Sequence, residues 1–359
     1  MKTCQKTSLL FAAASSLLLL PAMVNAQPWT YTIGSGNGLS WDTVANWTPV
    51  GSAPASSLPD GVDNTIASVT PNGGRTDTLD GNHTIGNIAY VVNANRSYTW
   101  NPGTPSTSVL TLQTDTGTAP AVSVKAGQTA GNLYMNAPLA GTQGFTMTGG
   151  SGAYGGGNGA FQLGAANTIT GPVTVNSGWL VVNAAGSLPV GAPVTVSGNN
   201  AVLAGTGTVN DTVTLTTGYI YPGSAAITSP GVNLTPGTLT VGNLTWNGGS
   251  INETLGTASS LLSVNNALTM GSASTYNFNI TQGAGFSSGN TYDLLNFNSE
   301  SGVTSSSFTV TGVPAGMEVV TEWTVADQSG EMILVPEPST LALLVGGVAG
   351  LWQMRRRKA

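Results

Sequence analysis

The chain has 359 residues, a formal net charge of −6, 49 glycines and only 7% charged residues, a composition unlike that of a cytosolic enzyme. Between the two terminal segments described below, the basic residues are Arg75, Arg96 and Lys125, against fourteen acidic residues, which are all of the chain's 15 except Glu337. We therefore expect no binding to nucleic acid, because Lys and Arg contacts to phosphate dominate that affinity. Disorder is not expected either, since aliphatic and aromatic residues recur throughout.

The N-terminus predicts export. Two lysines precede an apolar run at residues 8–20, and small residues follow up to Ala26, as signal peptidase requires. We predict a secretory signal peptide at residues 1–26, cleaved by signal peptidase between Ala26 and Gln27. Its Cys4 is the chain's one cysteine, so the mature protein has no thiol, no disulfide and no cysteine-bound metal.

Residues 27–109 open with alternating aromatic and polar residues at 29–33, a pattern typical of an edge strand. Trp41 and Trp47 follow, and this spacing resembles the opening segment of secreted bacterial proteins built from autotransporter-type β-strand repeats. We predict an N-terminal cap, in which the bulky indoles cover the first apolar layer of a stacked array. The alternative is that Trp41 or Trp47 stacks on a carbohydrate.

The region with the densest charge is the candidate for chemistry. Its residues are Arg75, Asp77, Asp80 and His83, with Asp60 and Asp63 nearby in the sequence. Paired carboxylates beside a cation could serve glycoside hydrolysis or another polysaccharide cleavage. The alternative, which we favour, is a polar strand that ends in an Asp-Gly turn, with Asp77 and Asp80 on opposite faces by parity and His83 exposed in a loop. We assign no catalytic, cofactor-binding or metal-binding residue.

Residues 110–261 contain recurring short strands. The first strands of each pair lie at 173–175, 194–196, 213–215 and 239–241, and the second strands at 179–182, 201–203, 219–221 and 244–246. Repeats of about 20 to 30 residues are typical of solenoids. A strand of three or four residues cannot bury its apolar side alone, whereas turns stacked about 4.8 Å apart share a continuous core. We predict an all-β parallel β-helix, or solenoid, with a β-sandwich as the alternative.

Residues 167–181 also carry a resemblance to a known family. They read Asn-Thr-Ile-Thr-Gly-Pro-Val-Thr-Val-Asn-Ser-Gly-Trp-Leu-Val. This order resembles the autotransporter-associated β-strand repeat, in which Asn-Thr, Thr-Gly, Val-x-Val and Gly-x-Leu-x-Val follow one another. The resemblance implies a right-handed parallel β-helix.

Three short matches to functional motifs are not supported by their surroundings. Residues 285–289 fit G-x-S-x-G, but a nucleophile elbow needs a following helix and a downstream histidine. Residues 150–155 fit G-x-G-x-x-G without a helix after them. The same stretch resembles a calcium-binding nonapeptide, but Tyr154 and Phe161 stand where aspartates are needed.

Residues 262–334 differ from the preceding repeats in the length of their predicted strands. We predict longer antiparallel strands at 274–280, 291–297, 308–310 and 318–325. They would form a C-terminal β cap or a small sandwich, which ends close to the membrane-proximal tail.

The tail at residues 335–359 predicts where the protein is sent. Its parts are Val335-Pro336-Glu337-Pro338-Ser339, an apolar run at 341–354, and Arg355-Arg356-Arg357-Lys358. Two prolines in three residues exclude a helix at the motif. The apolar run is shorter than the roughly 20 residues of a comfortable membrane helix, though bilayer thinning or snorkelling tolerates this. The basic cluster should stay on the cytoplasmic side and stop translocation.

This tail resembles the PEP-CTERM sorting signal of exported proteins in Gram-negative bacteria. The resemblance implies recognition by an exosortase, with Pro336, Glu337 and Pro338 as substrate residues rather than catalytic ones. The protein would be anchored transiently in the inner membrane and then reach the outer surface or extracellular matrix, often alongside exopolysaccharide. The alternative is a plain C-terminal anchor.

Three functional classes follow. We favour a structural or adhesive protein of the cell surface or matrix, without catalysis or cofactor and processed by signal peptidase and exosortase. A polysaccharide-binding protein would instead recognise exopolysaccharide or a surface glycan through an exposed row drawn from Trp100, Trp179, Trp246 and Tyr219. A carbohydrate-active enzyme would use Asp77, Asp80 and Arg75.

Overall fold

The computed structural model describes residues 29–34, 36–51, 57–69, 74–92, 96–126, 130–149, 158–227, 232–271, 273–287, 290–302, 308–314, 317–324 and 329–336. These residues form 29 β-strands and one short 3₁₀ helix, Val44–Asn46. Within them, no helix has the length and apolar character to cross a bilayer. The predicted signal peptide at 1–26 and apolar run at 341–354 lie outside the described residues.

The strands follow one another along the whole described chain. The N-terminal strands are β1 (Thr30–Ile33), β2 (Trp47–Val50), β3 (Gly61–Val69), β4 (Arg75–Leu79), β5 (His83–Val92), β6 (Arg96–Pro102), β7 (Leu110–Leu112), β8 (Ala121–Ala126) and β9 (Ala130–Met135). The middle strands are β10 (Leu139–Gly141), β11 (Phe145–Gly149), β12 (Asn158–Leu163), β13 (Thr168–Ile169), β14 (Val173–Val175), β15 (Gly178–Val182), β16 (Ser187–Leu188), β17 (Val194–Val196), β18 (Ala201–Gly205), β19 (Thr208–Leu215) and β20 (Tyr219–Ile227). The C-terminal strands are β21 (Val232–Pro236), β22 (Thr238–Trp246), β23 (Ser250–Leu255), β24 (Leu261–Met270), β25 (Tyr276–Gln282), β26 (Thr291–Ser301), β27 (Phe308–Thr311), β28 (Met317–Thr324) and β29 (Ser329–Pro336).

The strands form two mostly parallel sheets between which the chain passes repeatedly. The smaller sheet has 11 strands, and its order from β4 to β27 follows the order of the chain, with β21 attached to β20. The larger sheet has 18 strands and contains the strands between those of the smaller sheet. This alternation is consistent with the predicted β-helix or solenoid. A β-sandwich, the alternative, would consist of antiparallel sheets.

Inward-facing apolar residues stack from turn to turn. One row runs through eight successively paired strands of the larger sheet, and its members are Ile88, Val122, Met147, Val175, Val196, Leu215, Trp246 and Met270. Each of these side chains is at least nine-tenths buried. Burying one such side chain fully contributes about 1.5–3 kcal/mol, so the row makes each turn depend on its neighbours.

The predicted repeat strands are mostly confirmed. Strands 173–175 and 194–196 are β14 and β17 of the larger sheet, and their partners 179–182 and 201–203 lie in the smaller sheet. The last predicted pair is wrong, because 239–241 and 244–246 both belong to β22. The pairing register of β22 with β24 shifts between Val241 and Leu244. In the sequence, this irregularity within one strand resembled a turn between two separate strands.

One corner shows why glycine recurs in the turns. Gly178, which begins β15, has φ of +79°, a conformation that glycine adopts without steric cost. A Cβ atom there would lie 2.7 Å from Cα of Gly149 in the preceding turn. The Asn-Ser-Gly sequence before β15 is therefore a tight corner where two turns of backbone touch.

The C-terminal region continues the parallel stacking further than predicted. Strands β25 and β27, predicted as antiparallel, pair in parallel in the smaller sheet, and β26 pairs in parallel with β24. Antiparallel pairing begins only where β29 joins β26 and β28. The positions of these strands were predicted correctly, but the direction of their pairing was not. The residue pattern of one strand does not indicate whether its neighbour runs parallel or antiparallel to it.

The N-terminal edges of both sheets are covered. The predicted edge strand is β1, but it pairs with β3 on one side and with β2 on the other, so it is not an edge. Residues 38–41 lie along β4, where the Trp41 amide donates to the Thr78 carbonyl at 2.9 Å. β2 is therefore the outermost strand of the larger sheet at this end, and residues 38–41 lie outside β4. Unpaired strand edges invite aggregation, and short outer segments limit the length of such an edge.

Candidate functional site

The charged candidates from the sequence lie at the N-terminal end of the stack, where β4 has alternating burial. Arg75, Asp77 and Leu79 point inward and Thr76 is exposed. Asp77 has no solvent exposure, and its Oδ2 atom lies 2.5 Å from Nε of Arg75. The strand that the sequence predicted as polar therefore carries a buried ion pair.

Further partners occupy the Asp77 carboxylate. Oδ1 accepts a hydrogen bond from the Leu39 amide at 2.8 Å, and Oδ2 also accepts one from the Tyr98 hydroxyl. The Arg75 guanidinium lies 5.2 Å from the centre of the Tyr98 ring and donates to the Gly34 carbonyl. Burial of Tyr98 raises the pKa of its hydroxyl, so this group stays a donor.

Asp80 is separated from this buried pair. The predicted parity is confirmed, since Asp77 faces the interior and Asp80 is partly exposed beyond the end of β4. Its carboxylate accepts hydrogen bonds from the Thr78 hydroxyl and the Thr104 amide, both at 3.0 Å. Partial burial alone would raise the pKa of Asp80, but hydrogen bonds from Ser40, Thr104 and Thr78 outweigh it and lower that pKa.

The prediction that His83 is an exposed loop residue is wrong. It is the first residue of β5, only 6% exposed, and its ring stacks on Trp41 with centroids 5.0 Å apart. Nδ1 lies 2.9 Å from the Asp60 carboxylate, and Nε2 lies 2.6 Å from the Asp80 carbonyl oxygen and 3.0 Å from Oδ1 of Asp42. The sequence did not show that distant segments supply the Asp42 and Asp60 carboxylates.

The surroundings of His83 favour its doubly protonated form. A carbonyl oxygen and a carboxylate can only accept, so both ring nitrogens are placed to donate. Burial of the ring alone would lower the pKa of His83, but the hydrogen bonds to Asp60 and the Asp80 carbonyl and the charges of Asp60 and Asp42 outweigh it and raise that pKa. When it is protonated, His83 therefore clamps the segments of Asp42 and Asp60 to the start of β5.

This clamp predicts a pH dependence of stability. The folded pKa of His83 lies above the unfolded value of about 6.5, so its stabilisation is complete below that value and is lost as pH rises through the folded pKa. We expect the melting temperature of the wild-type protein to fall over this range more than that of His83→Gln. Thermal melts of both proteins between pH 5 and 9 measure this difference, and parallel curves would contradict the clamp.

Most of the aromatic residues proposed for carbohydrate binding are buried. Trp41 and Trp47 lie edge to face at 4.9 Å, and Trp100 lies 5.2 Å from Trp41. Trp100, Trp179 and Trp246 are at most 1% exposed. The predicted exposed aromatic row is therefore wrong, since these rings pack inside or beneath other strands and cannot stack on a glycan.

Trp179 lies on the outer face of the smaller sheet, beneath a hairpin. β21 pairs antiparallel with β20, and this hairpin covers an apolar cluster outside the main core. The members of this cluster are Ala160, Trp179, Val181, Val202, Ala204, Tyr221 and Ala225, with Tyr219 packed against it and partly buried. The outer face of the smaller sheet is closed by the chain itself along this stretch.

One buried titratable residue was missed from the sequence. Glu253 lies in β23 between Ile251 and Leu255, which face the core, and by parity it faces the interior with them. It has no solvent exposure, and neither carboxylate oxygen has a hydrogen-bond partner among the described residues. Burial raises the pKa of Glu253 well above its ordinary value. The alternation of Ile251, Glu253 and Leu255 was the signal that could have located it.

The described part of the chain offers little for metal or serine chemistry. Its His, Asp and Glu residues form no group of three arranged to hold a metal ion. Gly285 lies in a turn with φ of +76°, and the Ser287 amide donates to the Tyr292 hydroxyl at 3.0 Å. Tyr154 and the last two residues of the G-x-S-x-G match lie outside the described residues, and Phe161 is buried in β12.

The last described strand leads into the predicted sorting tail. β29 lies between β26 and β28, and its residues Leu334, Val335 and Pro336 pair with residues 317–319 of β28. Pro336 ends the strand. The other predicted processing residues lie outside the described residues, namely Ala26, Gln27, Glu337, Pro338, Arg355, Arg356, Arg357 and Lys358.

Comparison with protein families decides what this tail is. Residues 334–358 match the PEP-CTERM protein-sorting motif. The motif implies export, C-terminal anchoring in the membrane and subsequent processing by an exosortase. Its first three residues overlap β29, so the folded body reaches the sorting motif without an intervening linker.

The comparisons do not extend this assignment to the body of the protein. No curated protein and no solved structure matched the chain. The resemblance of residues 167–181 to the autotransporter-associated repeat therefore stays a prediction.

Proposed function

We propose that the mature protein is a stiff structural or adhesive component of the cell surface or extracellular matrix, and that it catalyses no reaction. The observation that carries this proposal is the sorting motif, which begins inside the last described strand of a stacked β body. A protein delivered in this way presents its whole body outside the cell.

The shape of the body suits a spacer or scaffold. The smaller sheet contains ten strands in an unbroken parallel series, and a spacing of about 4.8 Å gives this series a length of roughly 45 Å. The buried rows link each turn to the next, so bending the stack would open packed contacts. The aromatic group of Trp41, Trp47 and Trp100 would close the first turns as a cap.

The contacts of the charged residues support the absence of catalysis. Both oxygens of Asp77 are occupied and the group is inaccessible to a substrate. The Asp80 carboxylate accepts hydrogen bonds from Thr78 and Thr104, and both ring nitrogens of His83 are engaged by Asp42, Asp60 and the Asp80 carbonyl. Glycoside hydrolysis needs two accessible carboxyl groups on either side of the scissile bond, and Asp77 cannot be one of them.

A comparison of cells with and without the protein tests this function. We expect cells that lack it to lose surface adhesion or matrix cohesion. The purified surface protein should release no products from bacterial exopolysaccharides. Turnover that disappears in a folded Asp80→Asn variant would contradict the proposal and favour an enzyme.

A further inference from the structure

The outer face of the larger sheet carries a regular row of threonines. Thr146, Thr174, Thr195, Thr214, Thr245 and Thr269 occupy equivalent positions in six successive turns, each paired in register with the next. None of the six is buried. Because neighbouring parallel strands lie about 4.8 Å apart, the row is a straight line of hydroxyl and methyl groups roughly 24 Å long.

A second polar row lies two residues further along the chain, directly after the end of the strand in four of the five turns. Its members are Thr148, Asn176, Ser197, Thr216 and Asn247. The register persists, since the Ser197 amide donates to the Val175 carbonyl at 3.1 Å and the Thr216 amide to the Val196 carbonyl at 2.9 Å. Successive turns therefore present Thr-x-Thr, Thr-x-Asn, Thr-x-Ser, Thr-x-Thr and Thr-x-Asn. We call these two rows the hydroxyl lattice.

The hydroxyl lattice is periodic in two directions. The parallel hydrogen bonds continue to the second row, where the Asn176 amide donates to the Met147 carbonyl and the Asn247 amide to the Leu215 carbonyl. Residues two apart in such extended backbone lie roughly 7 Å apart, and neighbouring turns lie about 4.8 Å apart. The two rows contain no charged residue and no aromatic residue. Threonine is restricted at χ1 by its branched Cβ, so packed rows hold their hydroxyls in place before any ligand arrives.

We infer that the hydroxyl lattice binds the ordered water at the surface of an ice crystal. Its two spacings are close to those of oxygen atoms along the two axes of a prism face of ice, and its hydroxyls can both donate and accept, as water does. Each contact is weak because it replaces a hydrogen bond to liquid water. Many contacts made at once by a rigid array add up to firm binding.

Other ligands fit this face less well. A glycan site usually combines hydrogen-bonding groups with apolar or aromatic surface, and the tryptophans of the core are buried. An anionic ligand would need cations, which both rows lack. The neighbouring face, which carries Thr208 and Thr240 on the other side of the register shifts in β19 and β22, provides an internal comparison.

The test is ice growth in the presence of protein purified from the cell surface. We expect thermal hysteresis and inhibition of ice recrystallisation by the wild type. Thr195→Tyr combined with Thr214→Tyr should reduce both by roughly tenfold or more, because bulky rings interrupt contacts that act together. The matched control, Thr208→Tyr with Thr240→Tyr, places the same rings on the neighbouring face and should leave both effects intact.

Three results would overturn the inference. The first is a folded wild-type protein that does not alter ice growth, and the second is an equal loss in the two tyrosine pairs. The third is binding to insoluble chitin or cellulose that depends on Thr195 and Thr214 without any effect on ice. Circular dichroism checks the fold of each variant. Thr195→Val with Thr214→Val, which removes the hydroxyls and keeps the side-chain shape, should also weaken the effect if the tyrosines disturb folding.

Discussion

Asp77→Asn is expected to lower the free energy of unfolding by about 3–5 kcal/mol, because it leaves the Arg75 guanidinium buried beside a neutral partner. The change removes only one charge and keeps the shape of the side chain. The buried amide would also have to reorganise the hydrogen bonds from Leu39 and Tyr98. Urea denaturation of the two proteins measures the difference.

Two controls separate the ion pair from a general effect of charge. Asp115→Asn removes an exposed carboxylate and should change stability by less than about 0.5 kcal/mol. Arg75→Met combined with Asp77→Leu removes both charges, and we expect it to cost clearly less than Asp77→Asn alone. Equal stability of Asp77→Asn and wild type would show that the Arg75–Asp77 ion pair is solvated. Asp77 would then again be a candidate functional residue.

Glu253→Met is expected to raise the free energy of unfolding at pH 7 by about 1–3 kcal/mol, since it replaces an unsatisfied buried carboxyl with an apolar side chain of similar length. The folded pKa of Glu253 is raised, whereas in the unfolded chain a glutamate has a pKa of about 4.3. The folded state therefore holds its proton longer, and wild-type stability falls as pH rises above the unfolded value.

The pH dependence of the stability gain distinguishes removal of the buried carboxyl from improved packing of the new side chain. The advantage of Glu253→Met should be small near pH 4 and grow toward pH 8, as measured by urea denaturation at both values. Asp293→Asn, which changes an exposed carboxylate, should show no comparable growth. An equal gain in the free energy of unfolding at both pH values would indicate better packing alone. A lower free energy of unfolding would show that the Glu253 carboxyl has a stabilising hydrogen-bond or charge partner.

The sequence was informative wherever local periodicity was the cause of structure. Valines and leucines at alternate positions on short strands predicted the inward rows, because such strands can bury them only by stacking. The sorting tail could also be predicted from the sequence, because two prolines, an apolar run and a basic cluster are adjacent in the chain.

Sequence reasoning failed where neighbours come from distant segments. His83 was placed in an exposed loop because Trp41, Asp42 and Asp60, which surround it, are 23 to 42 residues away. The alternative of a polysaccharide-binding protein placed Trp179 on an exposed face, but the β20–β21 hairpin covers that face of the smaller sheet. The predicted antiparallel direction of β25 and β27 was wrong for the same reason, because these strands become neighbours only after a whole turn of the stack.

The most direct test of the protein as an exported, processed surface rod is its intact mass, measured after extraction from cells with and without exosortase. With exosortase, we expect a chain that begins at Gln27 and ends near Pro338. Without it, we expect the same N-terminus and a tail that continues through Arg355 to the end of the sequence. A surface protein that keeps residues 339–359 in cells with active exosortase would contradict this assignment.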